Sequence, residues 1–352
     1  MTLNFSQRCT PAAGTRRLVA KTLAALTLAT GVTSPALAAD EVNIYSYRQP
    51  FLIQPMLDQF TKDTGIKTNI VFAQDGVAER LKREGKNSPA DLVLTVDIAR
   101  LQELVDAGLT QPVDSDVLEE NIPAQYRGGN DEWFGLTLRT RNIYASKERV
   151  EDTDLSYEDL AKPEWKGKIC ARSGKHPYNI ALIASMIAHH GEEETETWLK
   201  GVKNNLAQKP QGGDRDQIRA VAEGVCDLAI GNSYYYGAMV ADPEQRGFAE
   251  KVNVVFPNQG DRGAHVNVSG VVLTKSAPNK AEAVKLMEFL TSEEAQEMYA
   301  NMNVEFPVNK AVEGSGLLKE WAGFKADKLP LDEISKHREA AVKLVDKVDF
   351  DS

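Results

Sequence analysis

The chain has 352 residues, enough for two lobes with separate cores once an amino-terminal segment is set aside. Its net charge is −10 at pH 7; the first 39 residues carry four basic side chains and no acidic one, so the remaining 313 or so carry about −14. That balance argues against nucleic acid and anionic membrane surfaces as partners, and it suits a soluble protein that attracts cations.

Residues 1–39 read as a targeting segment. Arg8, Arg16, Arg17 and Lys21 form a basic start, Leu18 to Val32 is apolar and small, and Ala36-Leu37-Ala38 supplies a small-residue cleavage pattern. The apolar run is too short for a membrane span. Arg16-Arg17 fits a twin-arginine export signal as well as an ordinary Sec signal, and either route exports the product. Nothing after this segment is long and apolar enough to span a membrane. Cys9 lies within it, so Cys170 and Cys226 remain in an oxidising compartment, where a disulfide between them is expected.

The next stretch alternates strand and helix. Val42–Tyr47, Thr68–Ala73 and Asp91–Val96 have strand composition; Phe51–Gly65, Val77–Gly85 and Ile98–Gly108 have helical periodicity. Such alternation predicts a parallel sheet with helices on both faces. Asp97 stands where a helix N-cap is expected. Trp133–Ala145 is extended, Ser156–Gly167 contains a short helix, and Lys168–Ala171 is a strand. Helices follow at Tyr178–His190, Glu192–Leu206 and Asp214–Gly224, with strands at Asp227–Gly231 and Val252–Phe256. His265–Thr274 is a second long extended piece; helices over Lys280–Thr291, Glu293–Ala300 and Leu331–Lys347 complete the chain. Two doubly wound lobes joined by the two long strands make a hinged α/β clamshell with its ligand in the cleft. The expected lobes are residues 40–138 plus 265–313, and residues 139–264 plus 314–352.

Three tyrosines stand in a row at Tyr234-Tyr235-Tyr236, between Gly231 and Gly237. A phenol has a free pKa of about 10 and becomes a hard anionic ligand only when something, such as a cation, displaces its proton. The alternative is an aromatic patch that packs a turn or stacks on a sugar. For Tyr234 and Tyr235 to reach one ion the segment must be a turn or a first helical turn, because a flat strand would send them to opposite faces. The flanking glycines suit such a bend. Cys170 precedes Tyr178 by eight residues and Cys226 precedes Tyr234 by eight, so a disulfide would start both tyrosine segments from one point.

Several short stretches together resemble the periplasmic ferric-ion-binding proteins that feed an ABC iron transporter. They are Asn43-Ile-Tyr-Ser-Tyr-Arg-Gln-Pro50, Ser88-Pro-Ala-Asp-Leu-Val-Leu-Thr-Val-Asp97, Trp133-Phe-Gly-Leu-Thr137, Pro210-Gln-Gly-Gly-Asp-Arg215, Asn232-Ser-Tyr-Tyr-Tyr-Gly237 and His265-Val-Asn-Val-Ser-Gly270. The resemblance runs from Val42 to about residue 350 and implies the type II periplasmic-binding-protein clamshell. It implies a non-enzymatic, monomeric carrier in the periplasm that delivers Fe³⁺ to an inner-membrane permease. It also implies metal ligation by Tyr178, Tyr234 and Tyr235, with Tyr236 in a position that is often aliphatic. Other branches of that family take a further ligand from an Arg-His-Tyr triplet after the first strand; here the place reads Arg48-Gln49-Pro50. The resemblance is therefore to the three-tyrosine branch, in which carbonate or bicarbonate fills the remaining positions.

The chemistry agrees with that implication. Ferric ion is small and hard and prefers anionic oxygen, and three phenolates cancel its charge. A further anion then requires cations nearby. Arg48, Arg139 and Arg141 are the candidates, the latter two on one face of an extended segment, each with a planar fork that suits an oxyanion. His176, Tyr47 and Asp97 are expected to border the site without necessarily ligating. A clamshell for a sugar, polyamine or organic anion is the alternative, disfavoured because no tryptophan neighbours the tyrosine run. No Ser/His/Asp set, phosphate-binding glycine loop or HExxH helix points to an enzyme.

Overall fold

Alternating buried and half-buried side chains make Glu41–Ser46 the first strand, β1, of a computed structural model that describes residues 40–352. The expected targeting segment and its cleavage pattern lie outside the described residues. α1 (Pro50–Thr64) buries Ile53, Met56, Leu57 and Phe60, the spacing of one helical face, and ends at Gly65 in the left-handed region (φ 74°). β2 (Lys67–Phe72), α2 (Val77–Glu84), β3 (Leu92–Thr95) and α3 (Ile98–Asp106) complete the first βα series. Asp97 caps α3, its carboxylate accepting from the Arg100 N–H at 3.0 Å.

After α4 (Asp116–Asn121) the chain enters β4 (Phe134–Ser146), thirteen residues that are all buried. β5 (Ile169–Cys170), α5 (Pro177–Asn204), α6 (Asp214–Ala222), β6 (Leu228–Asn232), α7 (Ser233–Ala241), α8 (Arg246–Ala249) and β7 (Val252–Val255) follow. Then come β8 (Val266–Leu273), α9 (Lys280–Thr291), α10 (Glu293–Asn303), β9 (Phe306–Pro307), α11 (Leu317–Glu320), α12 (Leu331–Lys336) and α13 (Arg338–Val348). α5 breaks at Gly191 (φ 80°, ψ 170°), so it is the two predicted helices end to end. The single helix expected over Leu331–Lys347 is interrupted at His337, and the short helix expected within Ser156–Gly167 is two 3₁₀ turns.

The sheet runs β2-β1-β3-β8-β4-β6-β5, with β7 and β9 also paired to β4. β1 pairs in parallel with β2 and β3, and β5 with β6, as the βα alternation predicts. The centre is not parallel. β8 lies antiparallel to both β3 and β4, and β4 lies antiparallel to β6. The two long extended segments of the sequence are therefore adjacent strands through the middle of the sheet. On one face of that pair alternate residues are polar: Thr137, Arg139 and Arg141 on β4, and Ser269, Asn267 and His265 on or beside β8, with Arg139 opposite Asn267 and Thr137 opposite Ser269. The aliphatic residues between them, including Leu138 and Val268, join the core.

Candidate functional site

The tyrosine run lies in the first turn of α7, not in a strand. Asn232 ends β6 and Ser233 opens the helix, so Tyr234 and Tyr235 project from its amino-terminal end. Their rings lie 4.3 Å apart between centroids. Tyr178 is the second residue of α5, after Pro177. The hydroxyls of Tyr234 and Tyr178 are 3.2 Å apart. Both helices start just beyond adjacent parallel strands, and Cys170 and Cys226 are disulfide-bonded at the base of this pair. Two helix amino termini thus point phenols into one place, where their dipoles favour negative charge on oxygen. Tyr236 turns away and faces Trp321, with centroids 6.0 Å apart.

The flanking glycines do something other than bend the chain. Gly231 lies within β6, where a Cβ would run into the Tyr144 ring; the Tyr144 hydroxyl donates to the Asn232 carbonyl at 2.6 Å. Gly237 lies inside α7, against Val304. Both permit close approach, and the sharp change of direction falls to Asn232 and Ser233 instead.

The electrostatics keep Tyr234 and Tyr235 protonated. Burial pushes the Tyr234 phenol well above its ordinary value of 10, and the neighbouring Tyr178 and Tyr235 push it further, against the pull of Arg139. Burial also raises Tyr235, followed by the charges of Tyr178 and Asp214. The Arg139 guanidinium lies 5.8 Å from the Tyr234 ring centre; Arg141 and Arg172 lie 6.0 and 5.7 Å from that of Tyr178.

The three arginines expected to hold an anion are all buried and mostly committed to protein partners. Arg141 donates to Asp214 at 2.6 Å, Asn232 at 3.0 Å and Asn179 at 2.6 Å. Asp214 also accepts from Arg172 at 3.0 Å and from the Asn232 N–H at 2.9 Å. Arg48 donates to Ser269 at 2.8 Å and to the buried Glu305 at 3.0 Å. Arg139 donates to the same Ser269 hydroxyl and to the Val96 carbonyl, and Thr137 donates to Glu305. Their forks are not open to a cleft, contrary to the expectation from spacing. What each retains is its Nε–H, which has no hydrogen-bond partner among the described residues in Arg48, Arg139 or Arg141.

His176 caps α5: its Nδ1 accepts from the Tyr178 N–H at 3.2 Å, and its ring meets the Tyr178 ring edge-on at 4.6 Å. Burial, with help from Arg172 and Arg141, holds it neutral, at about 3. Tyr47 lines a cavity together with Asp97, Arg100 and Pro177, the residue before Tyr178. The Tyr47 hydroxyl accepts from the Val77 N–H at 3.2 Å and its ring carries Arg100, so it packs. Asp97 is spent on its cap. Asp214, Arg172 and Glu305 also belong to the site, beyond the residues the sequence singles out. Asp214 lay within the Pro210–Arg215 motif and Arg172 two residues beyond Cys170, so signals existed for both. Glu305 lay in no motif.

The family described as bacterial extracellular solute-binding protein matches residues 87–325. Iron uptake protein A1 of Synechocystis is 44% identical over 311 residues, covering 87% of this chain and 86% of the relative. The apo ferric ion-binding protein A of Pasteurella haemolytica superposes with a TM-score of 0.85 at 57% identity, over 89% of this chain and 99% of that one. A Trichodesmium protein solved with iron and citrate superposes with a TM-score of 0.84 at 43% identity, over 88% of this chain and 99% of that one. The chain belongs to the bacterial extracellular solute-binding protein family. It has that family's α/β clamshell, two doubly wound lobes joined by a hinge of two strands, and it is a binding protein, not an enzyme.

Proposed function

We propose that this protein captures ferric ion in the periplasm on Tyr178, Tyr234 and Tyr235 and delivers it to an ABC permease in the inner membrane. The observation that carries the reading is the pairing of the Tyr178 and Tyr234 hydroxyls at 3.2 Å, with Tyr235 beside them, at two helix amino termini. Three converging phenols repel one another once ionised, and a trivalent hard cation offsets that repulsion. The relatives named for iron uptake and ferric binding support the same cargo. A sugar or polyamine is the less supported cargo, because the paired phenol oxygens and the relatives named for iron both favour a hard cation.

A synergistic anion completes the site in this reading. Four guanidinium groups, on Arg48, Arg139, Arg141 and Arg172, face two buried carboxylates, on Glu305 and Asp214. Arg215 adds a fifth guanidinium, 5.8 Å from the Tyr235 ring centre, so positive charge is available to an anion once three phenolates have neutralised the ferric ion. The free Nε–H groups of Arg48, Arg139 and Arg141 are the donors available to it. Citrate, which accompanies iron in the Trichodesmium structure, is the competing anion. The protein is exported by its amino-terminal signal, acts as a monomer and binds no nucleic acid. Its lobes are residues 40–138 plus 265–313, and residues 139–264 plus 314–352, so the ion sits mainly on the second.

The test is a titration with ferric citrate. Ferric phenolate absorbs visible light, so the protein turns coloured on loading, and Tyr234→Phe removes most of the colour. A colourless loaded protein, or an unchanged Tyr234→Phe variant, overturns the proposal. Loading with and without bicarbonate distinguishes carbonate from citrate.

A further inference from the structure

Val304 caps the carboxy terminus of α10 in the left-handed region, at φ 54° and ψ 38°. Glycine or asparagine usually occupies such a cap, and a β-branched residue there is strained unless its surroundings over-determine it. Its neighbours do. Asn303 donates from its side chain to the Leu52 carbonyl of α1 at 3.0 Å. Glu305 accepts from Arg48 at 3.0 Å and from Thr137. Phe306 pairs with Leu138 of β4. Tyr299, one turn back on α10, lies under the Arg48 guanidinium at 5.2 Å.

Held this way, the Val304 side chain lands on Gly237. A Cβ at Gly237 would meet Val304 Cγ1 at 2.6 Å, and Cβ and Cγ2 at 2.8 Å each. Gly237 follows Tyr234 by three residues, so the two share a face of α7. The strained knob therefore seats on the helix that carries two of the three phenols. The same short segment, Val304-Glu305, fixes Arg48 on one side and α7 on the other. We infer that Gly237 is a positioning residue: the Val304 side chain against its bare Cα sets how α7 lies relative to the Arg48 segment, and so where Tyr234 and Tyr235 place their oxygens. The inference rests on the tyrosine site proposed above.

The experiment compares wild type with Gly237→Ala, Val304→Gly, the double variant and Val304→Leu. Ferric affinity is measured by competition with citrate, the position of the visible phenolate band is recorded, and thermal melts are taken alongside. Gly237→Ala overfills the contact and is expected to lose about tenfold or more in affinity and to shift the band. Val304→Gly suits the backbone but removes the knob that locates α7, so it too is expected to lose affinity, by about threefold or more, and to shift the band. Combined with Gly237→Ala it restores affinity and band position. Val304→Leu overfills the contact without altering α7 and reproduces the loss, which keeps the test intact if Gly237→Ala folds poorly. The band reports phenolate geometry, which a loss of stability alone would not move. Wild-type affinity and band in both overfilled variants overturns the inference, and so does a double variant as weak as Gly237→Ala. If wild type itself shows no band, the tyrosine site fails instead.

Discussion

The hydroxyls of Tyr178 and Tyr234 meet at 3.2 Å although 56 residues separate them in sequence. The same separation divides Cys170 from Cys226, which are bonded. The coincidence has a structural cause. β5 and β6 lie side by side in parallel, and each feeds a helix whose second residue is a tyrosine. Matching lengths of chain beyond a shared bridge bring the phenols together.

Replacing either member of this pair removes an anionic ligand. Tyr178→Phe and Tyr234→Phe are each expected to cost more in ferric affinity than the 10- to 100-fold, roughly, that follows loss of a group merely supporting a ligand. Tyr236→Phe keeps affinity within about twofold, because its ring packs toward Trp321 away from the cluster. Competition titrations of the three variants check this. An equal loss at Tyr236 would contradict the assignment of ligands within the row.

Proton release gives an independent check. In the free protein Tyr234 and Tyr235 are held above the ordinary phenol value, chiefly by burial, so both are protonated at neutral pH. Binding as phenolates expels those protons. Affinity then rises with pH by at least about a hundredfold per unit, for the two protons this pair releases, and falls correspondingly on acidification. Measuring the protons liberated on loading in weakly buffered solution tests the count. Release of fewer than one per ion would exclude phenolate ligation by this pair.

How much of this was legible depended on the range of the signal. The βα alternation is local, and the first series of strands and helices emerged close to its sequence boundaries. Asp97 was legible as a cap because capping involves only its own helix. The antiparallel centre of the sheet was not, since β4 meets β8 across more than a hundred residues and strand composition does not encode direction. Glu305 was invisible for the same reason: its partner Arg48 lies 257 residues away. The arginine spacing correctly put Arg139 and Arg141 on one face, but it could not reveal that Ser269 and Asp214 already occupy their forks.

Asp214 supplies the third prediction. It is 1% exposed and holds both Arg141 and Arg172. Asp214→Asn leaves the buried Arg141 and the partly exposed Arg172 without their counter-charge, which should destabilise the fold by about 3–5 kcal/mol. Urea unfolding of the iron-free protein measures it. A loss below about 1 kcal/mol would mean that the arginines find other acceptors.

His265 ties stability to pH. It is 2% exposed just before β8, and burial lowers its pKa from 6.5 to about 4. The unfolded chain takes up this proton first. The contribution is therefore fully present above about pH 6.5 and is lost as pH falls toward 4, amounting to about 3 kcal/mol over that window. In His265→Asn, unfolding measured across the same window should show a shallower dependence on pH. An identical slope in the variant would assign the acid sensitivity elsewhere.

The disulfide makes the final prediction, because it separates stability from site geometry. Cys170 and Cys226 enclose 56 residues of sequence separation, a loop whose closure is worth about 4 kcal/mol in the chain-entropy account. The double variant Cys170→Ala, Cys226→Ala should lose roughly that much stability. Its ferric affinity should fall far less, because the β5–β6 pairing, the cap at His176 and the bonds of Asn232 to Arg141 and Asp214 still place both helix starts. If the variant keeps its fold but loses iron binding as completely as Tyr234→Phe, the bridge and not the strand pairing holds the phenols together. Unfolding and iron titration on the same sample distinguish the two, since one reads the loop and the other reads the distance between Tyr178 and Tyr234.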